Sequence, residues 1–438
     1  MGKLYEIRDP VHGFITLNEW ELDIVNHRFF QRLRRIRQLG LTDMVYPGAM
    51  HTRFEHSLGV MHVATRMFDQ IRRRRQDFLE SELHYNEDGL GRVRALIRLS
   101  SLLHDVGHAP FSHAGEGLMA TNPTTGKPFK HEHYSASTVV RLMKDVIEGH
   151  PVNIRNYGIK AQEIADFLNR EPSLGPSLLW CDVVSGQLDA DRADYLLRDS
   201  HHIGVAYGHY DLDRLISTLT VTYDETGSPV IAVEEGGEHA AEGLIIARYM
   251  MFTQVYFHHT RRAYDHHCGK AVKAILREHQ KDDGLADRES FPPQTTQENL
   301  QSYLKWDDWR VLGLIAQGEG GGEGQALLTR RHHRRVFQTA ETPTEEEIQL
   351  AQRIQSVLGA RIGFVDLAES SWYKFDSADI PLLLRPGQGD EELTTLSTRS
   401  SVVKGLKPIE RRRIYVPLDS RNESRSIVSE IRKKRSET

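Results

Sequence analysis

The sequence predicts a mainly α-helical fold that carries short β-hairpins and ends in a small mixed α/β part. Apolar residues recur at the 3.6-residue spacing of a helix facing a core, most clearly in Ala95-Leu-Ile-Arg-Leu-Ser-Ser-Leu-Leu103. Two other segments alternate apolar and polar residues around turn-forming residues, as hairpins do. With 438 residues the chain is long enough to bury a large core. We therefore expect one large helical core with appended parts.

The first elements are a hairpin and a helix. Residues 5–17 alternate about a Pro/Gly turn, which predicts two short strands. Residues 21–39 are rich in arginine and carry apolar residues on one side, so they predict a helix that ends at Gly40. For Arg35 and Arg37 we favour a solvated helix face.

A charged, poorly periodic stretch over residues 72–86 predicts a helix end and a surface loop. Its four consecutive arginines would suit nucleic acid, but a solvated helix terminus explains them more simply. A loop rich in Pro, Thr and Gly follows at 121–128, and Lys130-His-Glu-His133 then opens another helix.

Residues 212–242 interrupt the helical pattern. Two β-prone runs, 217–223 and 230–233, flank Asp-Glu-Thr-Gly, which predicts a hairpin insert near 217–234. The helical pattern returns over 241–275.

We divide the chain into a core over 1–275, a helical extension over 276–360 and a small mixed α/β region over 361–438. The last region combines alternating runs such as Arg413-Ile-Tyr-Val-Pro417 with a basic tail, 427–435, that has a helical pattern. Flexible, polar loops of the extension are expected at 281–293 and 317–324.

Composition limits the possible functions. The net charge of -5 gives no overall positive field for nucleic acid, although a local anion site remains compatible with it. Twenty-three histidines cluster around a few motifs, which favours metal or acid-base chemistry. Cys181 and Cys268 alone do not suggest a disulfide framework, and the sequence contains neither a signal segment nor a run of about eighteen apolar residues. We therefore expect a cytoplasmic protein that does not enter a membrane.

A metal site is predicted where His104 and Asp105 end the apolar helix of residues 95–103. A buried carboxylate without a partner is costly there, whereas a divalent cation would offset that cost. A complete site needs another imidazole and another oxygen ligand. His56 opens the preceding apolar helix, and Asp191 lies in a later helical segment, so these two residues complete the predicted set.

These four residues, in this order and with their neighbouring sequence, resemble the ligand set of the HD-domain metal-dependent phosphohydrolases. The opening Asp9-Pro-Val-His-Gly13 and the segment Phe30-Gln-Arg-Leu33 resemble one branch of that family, the deoxynucleoside triphosphate triphosphohydrolases related to the mammalian sterile-alpha-motif and HD-domain enzyme. The resemblance is strong over roughly residues 5–265. It implies that residues 1–275 form an HD-domain catalytic core.

The resemblance also implies roles for individual residues. His56, His104, Asp105 and Asp191 would hold the metal. His108 and His113 would exchange protons with the substrate, with Glu116 orienting one of them and His131 lying close to the metal. Substrate contacts would come from Gln38, Leu39, Tyr195 and Asp199 at the sugar, Arg53 and Arg192 at the phosphates and Tyr264 beside the base and the 2′ edge.

The expected cofactor is a divalent transition metal, with Fe, Mn, Zn, Ni and Co all suited to two imidazoles and two carboxylates. Mg²⁺ at a second, phosphate-bridged site is compatible with the same chemistry. The implied partners are a dNTP substrate, a regulatory nucleotide near arginines such as Arg34, and further copies of the chain in a dimer or tetramer.

Two positions depart from the mammalian pattern: Tyr256 replaces an arginine that contacts triphosphate, and Asn26 replaces an aspartate that reads a regulatory guanine. The leading hypothesis is hydrolysis of dNTPs to deoxynucleoside and triphosphate. The alternatives are an HD phosphohydrolase acting on another nucleotide, either a monophosphate or an alarmone, and a nucleic-acid-binding or defence protein that retains the fold. The alarmone alternative lacks the usual acidic residues after His104-Asp105.

Overall fold

A computed structural model describes residues 3–280, 287–370, 379–385 and 391–436. The chain begins with the predicted antiparallel hairpin, formed by Leu4–Asp9 (β1) and Gly13–Asn18 (β2). The Asp9 carboxylate accepts hydrogen bonds from the backbone N–H groups of Val11 and His12 and so fixes the turn.

Helices dominate the next two hundred residues, which confirms the predicted mainly α fold. Their apolar faces meet in one extended core, where α3 packs against both α5 and α12. The helices of this part are Glu19–Asn26 (α1), Arg28–Gln31 (α2), Arg53–Arg74 (α3), Gln76–Ser81 (α4), Glu87–Leu103 (α5), His113–Glu116 (α6), His131–Leu142 (α7), Lys144–Glu148 (α8), Pro151–Asn156 (α9), Ala161–Asn169 (α10), Cys181–Ser185 (α11) and Ala190–Ile203 (α12).

The single helix predicted over 21–39 is wrong. The chain forms α1, α2 and a 3-10 turn, Arg32–Arg35, and then becomes extended. The helix is broken because the following backbone pairs with the strand-like entry to α3: Gln38 N–H donates to the His51 carbonyl, and Arg37 and Thr52 form a β-bridge. Hydrogen bonding to a distant segment therefore outweighs the local helical pattern.

The loop predicted over 72–86 contains the short helix α4, because Phe78 and Leu79 are buried against the core. The second half of the chain has helices Leu212–Ser217 (α13), Glu238–Met251 (α14), His259–His279 (α15), Gln297–Tyr303 (α16), Asp308–Ala316 (α17), Gly321–Leu328 (α18), Glu345–Leu358 (α19), Leu396–Arg399 (α20), Ser401–Gly405 (α21) and Arg421–Ser436 (α22).

Three other expectations change in this half. The helical run over 241–275 is interrupted by a π-helical turn, Phe252–Tyr256. The loop predicted over 317–324 is partly helical, because α18 begins inside its glycine run and buries Leu327. Of the loop predicted over 281–293, residues 281–286 lie outside the described residues. The helical tail over 427–435 is confirmed as part of α22.

The strands form small sheets that join distant parts of the chain. The predicted hairpin, Leu219–Tyr223 (β3) and Pro229–Glu234 (β4), is extended in the order β3-β4-β7-β8 by Pro381–Leu384 (β7) and Glu392–Thr395 (β8). Another sheet has the order β5-β9-β6 and consists of Arg334–Gln338 (β5), Phe364–Ser370 (β6) and Ile409–Val416 (β9). These sheets connect residues on both sides of positions 275 and 360, and the three-region division stays a prediction.

A second, smaller core lies between α19, β9 and α22, where Leu358, Ile414 and Val428 are buried together. None of the helices in the described ranges is both long enough and apolar enough to cross a lipid bilayer.

Candidate active site

Three predicted metal ligands meet in the interior. His56 lies in the first turns of α3, His104 directly follows α5, and Asp191 lies in the first turn of α12. Their ligand atoms all lie within 4.8 Å of one another. Asp191 Oδ1 is 3.0 Å from His56 Nε2 and 3.8 Å from His104 Nε2.

Asp105 completes the predicted set. Its Oδ2 atom lies 3.4 Å from His104 Nε2 and 3.7 Å from His56 Nε2. The same oxygen accepts a hydrogen bond from Arg53, the first residue of α3. Burial opposes ionisation of Asp105, but Arg53 and the imidazoles, beginning with His104, hold the pKa of its carboxyl well below the usual range. The structure therefore brings all four residues together, with His56 and Asp105 buried and His104 and Asp191 partly exposed.

The donor atoms fit a divalent transition metal. His104 Nδ1 lies 2.7 Å from the Ser101 carbonyl and His56 Nδ1 lies 2.8 Å from Asp194, so each ring turns Nε2 toward the carboxylates. Both Nε2 atoms are buried and have no hydrogen-bond partner among the described residues. Burial disfavours a charged His56, yet Asp191 and Asp194 raise its pKa to about 10, which indicates an environment that favours positive charge. Two imidazoles and two carboxylates suit such a metal.

A buried network behind His56 escaped the sequence analysis. Asp194 Oδ1 lies 2.7 Å from His12 Nε2, and the Arg198 guanidinium donates to both oxygens of Asp194. Arg198 also donates to Asp9 Oδ2, at 2.8 Å. The opening hairpin is thereby tied to α12 and to the metal cluster. Two signals in the sequence point to this network: Asp194 lies one helical turn after Asp191, and Asp9 and His12 belong to the opening motif.

The predicted acid-base residues form a second cluster, His108, His113, Glu116 and His131. Glu116 lies between two of the imidazoles, 3.0 Å from His113 Nδ1 and 2.5 Å from His131 Nδ1. Burial would lower the pKa of His131, but Glu116 raises it to about 9. The His108 ring stacks on His131 at 4.3 Å, and burial together with Arg53 lowers the pKa of His108 well below its ordinary value.

The two clusters adjoin each other. His131 Nε2 lies 3.7 Å from Asp105 Oδ1. Arg53 spans the gap, because its Nε donates to Ser112 Oγ at 2.9 Å while another nitrogen holds Asp105. The His113 side chain is 64% exposed, so of the cluster it is the one most open to a substrate.

The predicted sugar-contacting residues lie in two segments. Gln38 and Leu39 follow the 3-10 turn, and Gln38 Oε1 is buried without a hydrogen-bond partner among the described residues. Asp199 on α12 already uses both oxygens, because His51 Nε2 lies 2.8 Å from Oδ1 and the Tyr256 hydroxyl donates to Oδ2 at 2.6 Å. A sugar hydroxyl at Asp199 would therefore share or replace one of these contacts.

The remaining candidates have partners of their own. Arg192 donates to Asp189 at 2.6 Å, so it is not directed at the metal cluster in this structure. The Tyr195 ring contacts that of Tyr256, at 6.1 Å between centroids. Tyr264 lies on α15, fully buried beside His332 at 4.4 Å. Helix α15 itself contacts α6, which carries His113 and Glu116.

Comparisons with known proteins agree with this geometry. A model of the HD domain matches residues 53–172, which include three of the four candidate ligands, and a model of the HD associated region matches residues 210–357. An uncharacterized protein of Bacillus subtilis, YwfO, is 30% identical, with 95% of this chain and 94% of that protein covered. The chain belongs to the HD-domain phosphohydrolase family. HD domains bind divalent metals, in agreement with the cluster at His56.

Two further similarities concern named proteins. The crystal structure of a phosphohydrolase from Bacteroides thetaiotaomicron is similar at a TM-score of 0.69 and 25% identity, covering 94% of this HD-domain chain and all of that one. Deoxynucleoside triphosphate triphosphohydrolase SAMHD1 of Gallus gallus is 29% identical. That match covers 70% of this chain and 51% of the chicken protein.

Proposed function

We propose that this HD-domain hydrolase converts deoxynucleoside triphosphates into deoxynucleoside and inorganic triphosphate. The observation that carries the proposal is the contact between the metal cluster and the histidine cluster through Asp105, with Arg53 between them. Hydrolysis of a phosphate ester needs an electrophile at the phosphoryl oxygens, a cation for their charge and an acid for the leaving oxygen. These three requirements correspond to neighbouring groups in this chain.

His56, His104, Asp105 and Asp191 would hold the metal, which when bound supplies a Lewis acid and an activated water. Arg53 would bind the α-phosphate, exchanging part of its contact with Asp105 for the phosphate oxygens. Arg192 would bind the outer phosphates after separating from Asp189. Each guanidinium already has a buried or half-buried carboxylate partner, so phosphate replaces one anion by another.

In the reaction, a water oxygen bonds to the α-phosphorus and the bond from phosphorus to the 5′-oxygen breaks. The 5′-oxygen keeps the electron pair and takes a proton from His113, while the attacking water releases one proton to solvent. Glu116 binds His113 Nδ1 at 3.0 Å and leaves Nε2 to face the substrate. His131 shares Glu116 and stabilises its charge, and buried His108 packs against His131.

The preference for a deoxynucleotide rests on the likeness to SAMHD1, which is a deoxynucleoside triphosphate triphosphohydrolase by name. The unpartnered Gln38 Oε1 supports binding of a sugar at this place, because this buried acceptor would bind the 3′-hydroxyl that deoxyribose and ribose share. Tyr195 and Leu39 would pack against the sugar, and Tyr264 would close the 2′ edge. A regulatory nucleotide, a homodimer or homotetramer, a cytoplasmic location and Mg²⁺ at a second site stay predictions.

The test is a substrate panel. The metal-loaded protein is incubated with dNTPs, NTPs, NMPs, a guanosine alarmone and single-stranded DNA, and the products are resolved by ion-exchange chromatography. We expect deoxynucleoside and triphosphate in equal amounts from dNTPs, and no products from His113→Gln with its metal retained. Hydrolysis of NTPs, NMPs or the alarmone without hydrolysis of dNTPs would contradict the proposal. It would favour an HD phosphohydrolase that acts on another nucleotide. Binding of DNA without hydrolysis would favour the nucleic-acid-binding alternative.

A further inference from the structure

A short segment between α16 and α17 reaches into the HD domain. Residues 303–308, which we call the brace, belong to the part matched by the HD associated region. The Tyr303 hydroxyl donates to the Gly107 carbonyl at 2.8 Å. Asp308 Oδ1 accepts the Phe111 N–H at 2.7 Å. The brace therefore contacts the loop over residues 107–113 at its first residue, Gly107, and at Phe111, two residues before His113.

The brace also holds the segment that carries Gln38 and Leu39. Asp308 Oδ2 accepts the Arg37 N–H at 2.8 Å, so the two oxygens of one buried carboxylate connect the two segments. Arg32 adds a parallel connection, because it donates to the Trp306 carbonyl at 2.6 Å and to the His108 carbonyl at 2.9 Å. Arg32 is itself only 1% exposed, so its hydrogen bonds to both carbonyls lie in the protein interior, where buried polar groups need partners.

The loop needs such support because its backbone is strained. Phe111 and Ser112 have φ angles of 58° and 56°, although neither residue is glycine. Residues other than glycine rarely adopt positive φ angles, and two in succession persist only where the surroundings enforce them. Ser112 is held by two further contacts, donating to the Arg37 carbonyl at 2.5 Å and accepting from Arg53. The strained turn thus places Ser112 beside Arg53 and His113 at the start of α6.

The segment over residues 37–40 and the loop over residues 107–113 pack closely against each other. A side chain at Gly40 would place its Cβ only 2.8 Å from the Phe111 carbonyl oxygen. Asp308 therefore acts at a junction where neither segment has room to adjust by small shifts.

We propose that Asp308 is a positioning residue for hydrolysis, which acts by fixing the 107–113 loop and residues 37–39 in one arrangement. Its carboxylate sets the distance between the acid-base group on one segment and the sugar-contacting groups on the other. The proposal rests on the proposed function in assigning those roles. Its structural part, that Asp308 fixes the two segments relative to each other, does not depend on any substrate.

The chain offers a matched pair of variants. Asp308→Asn removes one of the two acceptors and turns an amide N–H toward a backbone N–H. Asp307→Asn is the control, because Asp307 accepts hydrogen bonds from the Arg310 backbone N–H and from the Arg35 side chain, whereas the contacts with the Phe111 and Arg37 backbone come from Asp308. An asparagine keeps the helix cap of α17 and an oxygen acceptor for Arg35, so the control changes the charge one residue away and leaves the Asp308 contacts with Phe111 and Arg37 in place.

Amide hydrogen exchange tests the structural half. In Asp308→Asn we expect peptides containing Phe111 and Arg37 to exchange about tenfold faster or more, with the rest of α3 and α12 unchanged, whereas Asp307→Asn should match wild type. Metal content should stay at the wild-type level in both variants. Unchanged exchange at Phe111 and Arg37 in a folded Asp308→Asn protein would overturn the proposal.

Steady-state kinetics test the functional half. We expect Asp308→Asn to lower kcat/KM by about tenfold to a hundredfold, the size of effect that a small misplacement of reacting groups produces, and Asp307→Asn to stay within about twofold. Tyr303→Phe, which loses the hydroxyl contacts with the Gly107 carbonyl and with Arg32 but keeps Asp308, should change both readouts in the same direction and less. If Asp308→Asn exchanges faster at Phe111 and Arg37 but keeps the wild-type kcat/KM, the positioning role is overturned. If wild type does not hydrolyse dNTPs, the proposed function fails while the exchange result still stands.

Discussion

His56 Nδ1 lies 2.8 Å from Asp194 Oδ2, on the side of the ring opposite to the atom that faces Asp191. With Nδ1–H donating to this carboxylate, the ring would direct Nε2 toward the other ligands and release the Nε2 proton when a metal binds. His12 and Arg198 hold the other side of Asp194. The opening hairpin therefore helps to orient a metal ligand that lies more than forty residues away in the sequence.

Asp194→Asn should weaken metal binding, because an amide can no longer polarise the His56 ring as a carboxylate does. We expect the affinity to fall by about tenfold to a hundredfold, measured by competition with a coloured chelator. Asp9→Asn is the matched control. It also removes a carboxylate partner of Arg198, but Asp9 does not contact His56, so its metal affinity should stay close to that of wild type. Equal losses in the two variants would contradict the orienting role.

Measurements of metal content should distinguish substitutions of the metal ligands from substitutions of the acid-base residues. His104→Ala and Asp191→Ala each remove a predicted ligand, so metal content and hydrolysis should be lost together. His113→Ala should abolish hydrolysis with full metal content, because His113 lies in the other cluster. Elemental analysis of the purified proteins beside an activity assay gives both values. Full activity and full metal occupancy in His104→Ala would exclude the proposed ligand set.

The meeting of the four candidate metal ligands was predictable because these residues stand near helix ends, where local sequence determines both the element and its polar terminus. His104-Asp105 follows an apolar helix, and His56 begins another. The order of the blocks then identified the family. The mainly α class followed from the same helical periodicity, and the first hairpin from its alternating residues.

The supporting residues were not predictable, because their partners are remote in the sequence. Asp308 contacts Phe111 across 197 positions, and Arg198 contacts Asp9 across 189. Periodicity gives no signal for Asp308 or Arg198, and the opening motif that contains Asp9 does not reveal that Arg198 is its partner. The same reason explains the broken helix after α1, where pairing between Gln38 and His51 overrides local propensity.

The free energy of unfolding should fall in mild acid, partly through His62. Burial, together with the neighbouring His12 and Arg66, lowers the pKa of His62 from 6.5 to about 4. Between these two values the unfolded chain takes up a proton that the folded protein excludes, so stability decreases as the pH falls. His62→Gln should make the melting temperature less dependent on pH over this range. His239→Gln, which changes an exposed histidine with a side chain 90% accessible, should follow wild type.

The sharpest prediction concerns the choice of sugar. If Leu39 and Tyr264 close the 2′ edge, a ribonucleotide is excluded by contact, whereas Gln38 and Asp199 would bind the 3′-hydroxyl that both sugars carry. The ratio of kcat/KM for dGTP to that for GTP measures this exclusion. Because both substrates are assayed on one preparation, any loss of folded enzyme cancels from the ratio.

Leu39→Ala and Tyr264→Ala should therefore lower the dGTP-to-GTP ratio, since each removes part of the wall. Tyr264→Phe keeps the buried ring beside His332 and should preserve the ratio, which makes it the control for the wall itself. Gln38→Ala should instead reduce kcat/KM for both nucleotides alike. The lost hydrogen bond would cost about 1–3 kcal/mol of transition-state stabilisation for each. A ratio near one in wild type, or a ratio unchanged in both wall variants, would show that these residues do not select the sugar. Such a result would favour a nucleotide phosphohydrolase of broader specificity.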